Sequence, residues 1–285
     1  MAKPIITTVK SALTWAQLLL QPITEDYLLE GRLILCEVMG VKVEFLIRYP
    51  DKALTVSEIA HFQELVTQRA TGHPLPYLLG KQAFYDLEVA VTPAVLIPRP
   101  ETELLVEQAL EWAKSRPSLT IADVGTGSGV IALTLAKHLP QAQVIGLDIS
   151  PEALLVAKGN ARTLDLAERI TWYEGDLLKP VLDRSQKVDL IVANLPYIAT
   201  AELASLSVAE YEPHVALDGG ADGLQAIRAL LEQAPHALAA QGAMFLEIGA
   251  GQGQPVQSLA QQAFAGRTVT LHADLAGHDR LIAIV

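Results

Sequence analysis

The sequence predicts an α/β protein in which a small all-helical part precedes a Rossmann-like sheet domain. Three observations predict it. Apolar residues recur at three- and four-residue spacing through the first 75 or so positions. An apolar run, a glycine-rich turn and a helical run follow one another from Leu119 to His138. Beyond them, short apolar runs alternate with helical stretches and end in polar residues. With 285 residues the chain exceeds the usual single-domain size and is long enough to bury a sizeable core.

Ala12 to Leu20 and Tyr27 to Met39 carry the helical spacing, with Thr24 a candidate cap at the start of the second run and Gly40 at its end. Thr55-Val56-Ser57-Glu58 has the capping-box spacing and opens an amphipathic run through Phe62, Leu65 and Val66. Pro74 and Pro76 then mark a boundary. The lone cysteine, Cys36, allows no internal disulfide, fits a reducing compartment and lies in an apolar helical run, so it is expected in the core. No leader is expected, because Thr14 and Gln17 interrupt the first apolar stretch and no small-residue cleavage site follows. No run of about 18 apolar residues occurs, so a cytoplasmic protein without membrane contact is expected.

Residues 83 to 97 alternate and are rich in β formers, which predicts a hairpin or linking ribbon. Pro100, with Glu101 and Glu103 in the first turn, starts a helix over Leu104 to Trp112. Arg99 is held between two prolines just ahead of it. Arg99 and Glu101 are therefore candidates for contact with a substrate.

The next unit is a candidate cofactor site. Leu119 to Val124 reads as a strand with Asp123 near its end, and Gly125-Thr126-Gly127-Ser128-Gly129 follows before a helix. Glycines let the backbone approach a ligand and expose N–H groups at the helix start. The spacing is not the dinucleotide one, and the Asp123 carboxylate suits a cation better than a pyrophosphate. That points to S-adenosylmethionine, whose product would be S-adenosylhomocysteine, although a tight turn without ligand has the same composition. Gln143 to Leu147 forms a second strand ending at Asp148, about 20 residues on, where ribose hydroxyls are accepted. A third, Ile170 to Tyr173, delivers Asp176 for an adenine amino group and Leu177 for the ring face.

The fourth strand, Val188 to Ala193, ends in Asn194-Leu195-Pro196-Tyr197. Asn194 offers a side-chain carbonyl, and Leu195, extended because it precedes Pro196, offers its backbone carbonyl. A planar NH2 group can give one hydrogen to each while Tyr197 covers its flat face. The same four residues taken alone also fit an ordinary turn. A loop rich in turn residues, Tyr211 to Leu224, is a candidate cover for this edge. A helix over Leu224 to Ala240, a strand over Ala243 to Ile248, and two strands near Thr268 to Leu271 and Leu281 to Val285 complete the chain. The last connection is too short for a parallel crossover, so the final two strands pair antiparallel. No His/Cys cluster has metal-ligand spacing, and no metal is expected.

Lys and Arg number 21 against 32 Asp and Glu, for a formal net charge of -11. Residues 1 to 80 hold 7 basic and 8 acidic groups, and the remainder holds 14 and 24. The acidic second part repels a phosphate backbone, so no direct nucleic-acid contact is expected.

VLIPRPETELLVE, DVGTGSGVIAL, VANLPYI, YEPHVAL with GGADGL, and DLAGHDR together make the chain similar to the release-factor glutamine N5-methyltransferases (PrmC/HemK), class I S-adenosylmethionine-dependent methyltransferases. The resemblance implies a substrate-recognition domain at 1–75, a hairpin linker at 76–100 and a seven-stranded methyltransferase domain at 101–285 with an antiparallel last strand. It implies methyl transfer to the glutamine amide nitrogen of the Gly-Gly-Gln loop in peptide-chain release factors. Gly125 to Gly129 would hold the methionine part, Asp148 the ribose, Asp176 and Leu177 the adenine, and Asn194 to Tyr197 the glutamine, with Asn194 also in contact with the cofactor. The family usually has Asn-Pro-Pro-Tyr; Leu195 replaces the first proline and keeps the carbonyl. Two other classes fit the acceptor pair: an adenine-N6 nucleic-acid methyltransferase, and a non-catalytic module that binds cofactor or release factor.

Overall fold

A computed structural model describes residues 6–116 and 118–285, and the chain divides into two units between Gly80 and Lys81. The first holds α1 (Val9–Leu20), α2 (Tyr27–Met39), α3 (Val43–Arg48), α4 (Val56–Ala70) and α5 (Leu75–Leu79). The capping box forms: Thr55 N–H donates to Glu58 Oε2 at 2.6 Å, and Glu58 N–H to Thr55 Oγ1 at 3.2 Å. These bonds satisfy donors that α4 cannot satisfy within itself. Gly40 ends α2 with φ 63°, a conformation that glycine adopts without steric cost. Thr24 does not cap α2, since its hydroxyl accepts from Asp26 N–H at 3.2 Å and Asp26 takes the cap position. Nor do the prolines stop the chain: Pro76 sits in the first turn of α5, where a missing N–H costs nothing. Phe62, Leu20, Ile34 and Leu35 fill the core of this unit, with Cys36 partly buried against it. Arg69 pairs with Glu30 through two hydrogen bonds of 2.7 and 3.1 Å, joining α4 to α2.

The second unit opens with a hairpin, β1 (Lys81–Phe84) and β2 (Leu87–Ala90). It is shorter than the alternation suggests and starts earlier, because Pro93, Pro98 and Pro100 have no N–H for a ladder. Then come α6 (Thr102–Ala113), β3 (Thr120–Val124), α7 (Val130–His138), β4 (Gln143–Asp148), α8 (Pro151–Thr163), β5 (Ile170–Glu174), α9 (Lys179–Leu182), β6 (Val188–Asn194), α10 (Thr200–Leu203), α11 (Gln225–Ala237), β7 (Leu238–Glu247), α12 (Gly253–Ala263), β8 (Val269–Ala273) and β9 (Asp279–Ile284).

Seven strands form one sheet in the order β5-β4-β3-β6-β7-β9-β8. Its pairs are parallel from β5 to β7, and β9 runs antiparallel to both neighbours. The strand order reverses between β3 and β6, which places a crevice at their carboxyl ends. Buried helices cover the strands, so the central strands are apolar on both faces, as Ile191, Val192 and Ala193 of β6 are. One boundary departs from the sequence pattern. The expected helix through Ala240 ends at Ala237, and β7 begins at Leu238. Pro235 lies in the last turn, and its missing N–H weakens the helix there.

Gly146 of β4 is a close-packing point. A Cβ on it would lie 2.3 Å from the Trp172 ring. Gly146→Ala should therefore cost about 1–3 kcal/mol through overpacking, measurable as a shift in the urea midpoint; an unchanged midpoint contradicts this packing account.

Candidate functional site

The carboxyl edge of the sheet holds a cavity of about 540 Å³. The glycine turn makes its floor, and Gly125, Gly127 and Gly129 all have positive φ (73°, 55° and 81°). Gly125 is also sterically required. A Cβ there would lie 2.9 Å from Leu195 Cδ2, so the bare Cα lets the loop after β6 pack directly on the turn after β3. Asp148, at the end of β4, accepts from Gly127 N–H at 2.8 Å through Oδ2 and from Ser150 N–H at 2.9 Å through Oδ1. Burial raises its pKa, and these backbone donors oppose the rise. Both carboxylate oxygens retain acceptor capacity toward the cavity that Asp148 lines.

The cavity is also lined by Thr126, Ser128, Asp176, Leu177, Asn194, Leu195, Pro196 and Arg99, all expected from the sequence. Asp176 is half-exposed and paired with Lys179 at 2.5 Å. Leu177 has φ 54°, a strained conformation for a residue with a side chain, and it sits beside the same cavity. Arg99 pairs with the buried Glu212, whose other oxygen accepts Ile97 N–H at 3.0 Å. The loop that carries Glu212 contributes Val215, Ala216 and Asp218 to the lining, so it does form one wall.

Four expected site residues do not line the cavity. Asp123 is fully buried under the glycine turn, where Oδ2 accepts from Thr126 Oγ1 at 2.5 Å and Ala132 N–H at 3.1 Å. Its strand position points it into the protein, and desolvation raises its pKa to about 7. Gly129 lies behind the turn against Ala157 and Trp172. Glu101 is exposed at the start of α6. Tyr197 is partly buried and packed against the core; its carbonyl accepts from Gln252 Nε2 at 2.9 Å, and burial, with Glu247 nearby, raises its phenol pKa.

Several other residues shape the site. Thr102 is buried and lines the cavity, and its hydroxyl accepts from Asn194 Nδ2 at 3.0 Å. Glu247 lies opposite Asn194 in the β6–β7 register, is 1% exposed, and neither of its oxygens has a well-formed hydrogen bond among the described residues. Burial raises its pKa to about 7, which Thr102, Arg280 and Asn194 moderate. Ile149 exposes an apolar side chain at the cavity mouth. Asn160 of α8 donates to Ser128 O at 2.9 Å and exchanges hydrogen bonds with Ala90, fixing the turn to β2. The period of a strand end could have flagged Glu247, as it did Asn194; nothing local flags Thr102 or Asn160.

A Rossmann-like sheet with a glycine turn, a strand-end carboxylate and an Asn-Leu-Pro-Tyr loop at one edge defines a class I methyltransferase. Residues 115–231 match a family described as methyltransferase domain, and residues 11–80 match the PrmC N-terminal domain. The chain is 49% identical over 231 residues to a release factor glutamine methyltransferase of Moorella thermoacetica, covering 81% of each chain. It is 43% identical over 258 residues to one of Geobacter sulfurreducens, covering 89% of this chain and 88% of the other. The chain therefore belongs to the release factor glutamine methyltransferase family. The hMettl16 catalytic domain, solved in complex with MAT2A 3'UTR hairpin 6, shares the fold at a TM-score of 0.57 and 14% identity, covering 82% of this chain and 84% of that one. Among the described residues, no group could hold a metal ion and no helix is long and apolar enough to cross a membrane.

The buried carboxyls set a pH dependence. A carboxyl whose folded pKa exceeds its unfolded value binds its proton more tightly when folded, so its stabilisation is complete below about pH 4 and is lost as pH rises toward 7. Asp123 and Glu247 both behave this way. The carboxylates held low, such as Asp86 beside Lys137, lose their contribution only at more acid pH. Stability of the second unit should therefore fall between pH 5 and 7, and Asp123→Asn should remove about half of that slope. Urea denaturation across the pH range checks this, and an unaltered slope in the variant would count against it.

Proposed function

We propose that the protein transfers a methyl group from S-adenosylmethionine to the side-chain amide nitrogen (N5) of the glutamine in the Gly-Gly-Gln loop of peptide-chain release factors. Membership of the family supports the reaction. The observation that carries the assignment of the acceptor site is the orientation of Asn194. Its Nδ2 donates to Thr102, so that hydrogen bond leaves Oδ1 available to accept from a ligand in the cavity that Asn194 lines.

The residues present fit the cofactor. The chemistry of the donor set is the test: a glycine turn for the methionine part, Asp148 with spare acceptor capacity for ribose hydroxyls, Asp176 for an amino group, and Ile149 and Leu177 as apolar faces for a ring. S-adenosylmethionine supplies an electrophilic methyl group on a sulfonium. The protein then has to present a nucleophile. An amide nitrogen is a poor one, because its lone pair is shared with the carbonyl. Asn194 Oδ1 would accept one N–H of the glutamine amide, and the Leu195 carbonyl, which accepts no backbone N–H among the described residues, would accept the other. Two acceptors fix the plane of the amide and stabilise positive charge that develops on its nitrogen. Pro196 holds Leu195 extended, and Tyr197, packed against the core with its carbonyl accepting from Gln252, anchors the far end of the loop. Arg99 and Glu101 would meet other parts of the release-factor loop. In this reading Asp123 acts beneath the turn by shaping it.

The reading is tested by transfer of labelled methyl to a purified bacterial release factor beside the same factor with its loop glutamine changed to alanine. Label on the first alone is expected; equal label on both, or on neither, overturns the reading. Asn194→Ala should lower kcat about 10²-fold or more, as loss of one preorganised partner does, while binding of S-adenosylmethionine measured by calorimetry weakens by much less. Near-wild-type turnover would remove Asn194 from the mechanism.

A further inference from the structure

Asn194 is useful to a substrate amide only if its oxygen, and not its nitrogen, faces the cavity. Side-chain amides are nearly symmetric in shape, so hydrogen bonding decides which end points where. Asn194 Nδ2 donates to Thr102 Oγ1 at 3.0 Å. That bond alone does not settle the orientation. A threonine hydroxyl both accepts and donates, so it would serve a reversed Asn194 equally well by giving its proton to Oδ1.

A third group breaks the tie. Glu247 stands opposite Asn194 on the neighbouring strand β7 and is 1% exposed. Thr102 and Asn194 are its polar side-chain neighbours, and Arg280 of β9 and Glu101 ahead of α6 act on it by charge. Tyr197, which follows β6, is near enough to feel its charge, and burial raises the Tyr197 phenol pKa. Neither Glu247 oxygen has a well-formed hydrogen bond among the described residues, but the Thr102 hydroxyl and the Asn194 amide stand near enough to lower its pKa by weak hydrogen bonding, so the carboxylate is an acceptor toward which both can turn. An ionised carboxylate can only accept. It draws the Thr102 proton toward itself and leaves Thr102 able only to accept from Asn194. It also repels Asn194 Oδ1 if the amide turns over.

Resting on the methyl-transfer reading above, we propose that Glu247 is a positioning residue that acts through Thr102 to hold the Asn194 amide with its nitrogen inward and its oxygen toward the substrate. Glu247 does not touch the substrate in this arrangement. Its protonation reverses the polarity of the chain: a carboxylic acid donates to Thr102, Thr102 donates to Asn194 Oδ1, and the nitrogen turns to the cavity. The acceptor site then becomes a donor site and cannot receive an NH2 group.

Two readouts test this, and the first needs no substrate. In the full-length protein, the side-chain NH2 signals of Asn194 in an amide nitrogen–proton NMR spectrum, assigned by their absence in Asn194→Asp, should titrate with pH. The midpoint is expected near 7, where the Glu247 carboxyl ionises, and Glu247→Gln should abolish the titration. Signals that do not titrate, or that titrate unchanged in Glu247→Gln, overturn the proposal. In the second, kcat for methyl transfer should rise with pH through the same midpoint. Glu247→Gln and Thr102→Val should lower it about tenfold or more and remove its pH dependence, with KM for S-adenosylmethionine changed less than twofold. Thr102→Ser, which keeps the hydroxyl, should restore both the rate and the profile. A wild-type profile in Glu247→Gln, or no rescue by Thr102→Ser in a folded protein, contradicts the proposal. If the NMR titration is present but the wild-type protein methylates no release factor, the orientation stands and the substrate reading falls.

Discussion

Strand β6 is hydrogen-bonded between β3 and β7, and the rest of the site depends on that pairing. Parallel register with β3 sets Ala193 beside Val124 and so brings the residues after each strand together. Leu195 can then pack on Gly125, where any side chain would collide. Register with β7 sets Asn194 opposite Glu247. A slip of one residue would turn Asn194 to the other face and separate the acceptor loop from the glycine turn. The cofactor floor and the acceptor pair are therefore one piece of structure, and the helices that cover the sheet serve to keep it rigid.

Burial gives this edge its electrostatic character. Asp123, Asp148 and Glu247 all have raised pKa values, and in each case desolvation is the main cause. They nevertheless do different work because their partners differ. Asp148 has two backbone donors and still lines the cavity, which suits it to ligand hydroxyls. Asp123 spends one oxygen on Thr126 and Ala132 and holds the turn from below. Glu247 is buried with neither oxygen well bonded among the described residues, and only the nearby Thr102 and Asn194 side chains and the Arg280 charge ease the cost. Strain at Leu177 and unsatisfied charge at Glu247 both occur at this edge of the sheet. Such departures from local optimum concentrate at functional sites.

The parts of this site that were legible in the sequence are those with a local signature. The glycines, Asp148 and the Asn-Leu-Pro-Tyr loop each follow an apolar run, and a strand end in an α/β sheet is a known place for ligands. Charge and hydropathy patterning likewise placed most helices and strands. What was not legible depends on the third dimension. Thr102 reaches Asn194 across 92 residues of sequence, and Asn160 joins Ala90 to Ser128. Neither residue type is unusual on a helix. Asp123 was misplaced for a different reason: proximity in sequence to the turn does not tell which side of it a side chain faces. Pro235 ended a helix that apolar periodicity alone would have carried to Ala240.

The central claim is that Asn194 Oδ1 and the Leu195 carbonyl form a paired acceptor for a glutamine amide. A crystal structure of the protein with S-adenosylhomocysteine and a release-factor fragment bearing the Gly-Gly-Gln loop tests it most directly. The account predicts the glutamine amide nitrogen within about 2.7–3.2 Å of both oxygens, with Asn194 Nδ2 still on Thr102. A glutamine nitrogen bound elsewhere, or held by only one of the two oxygens, would contradict it.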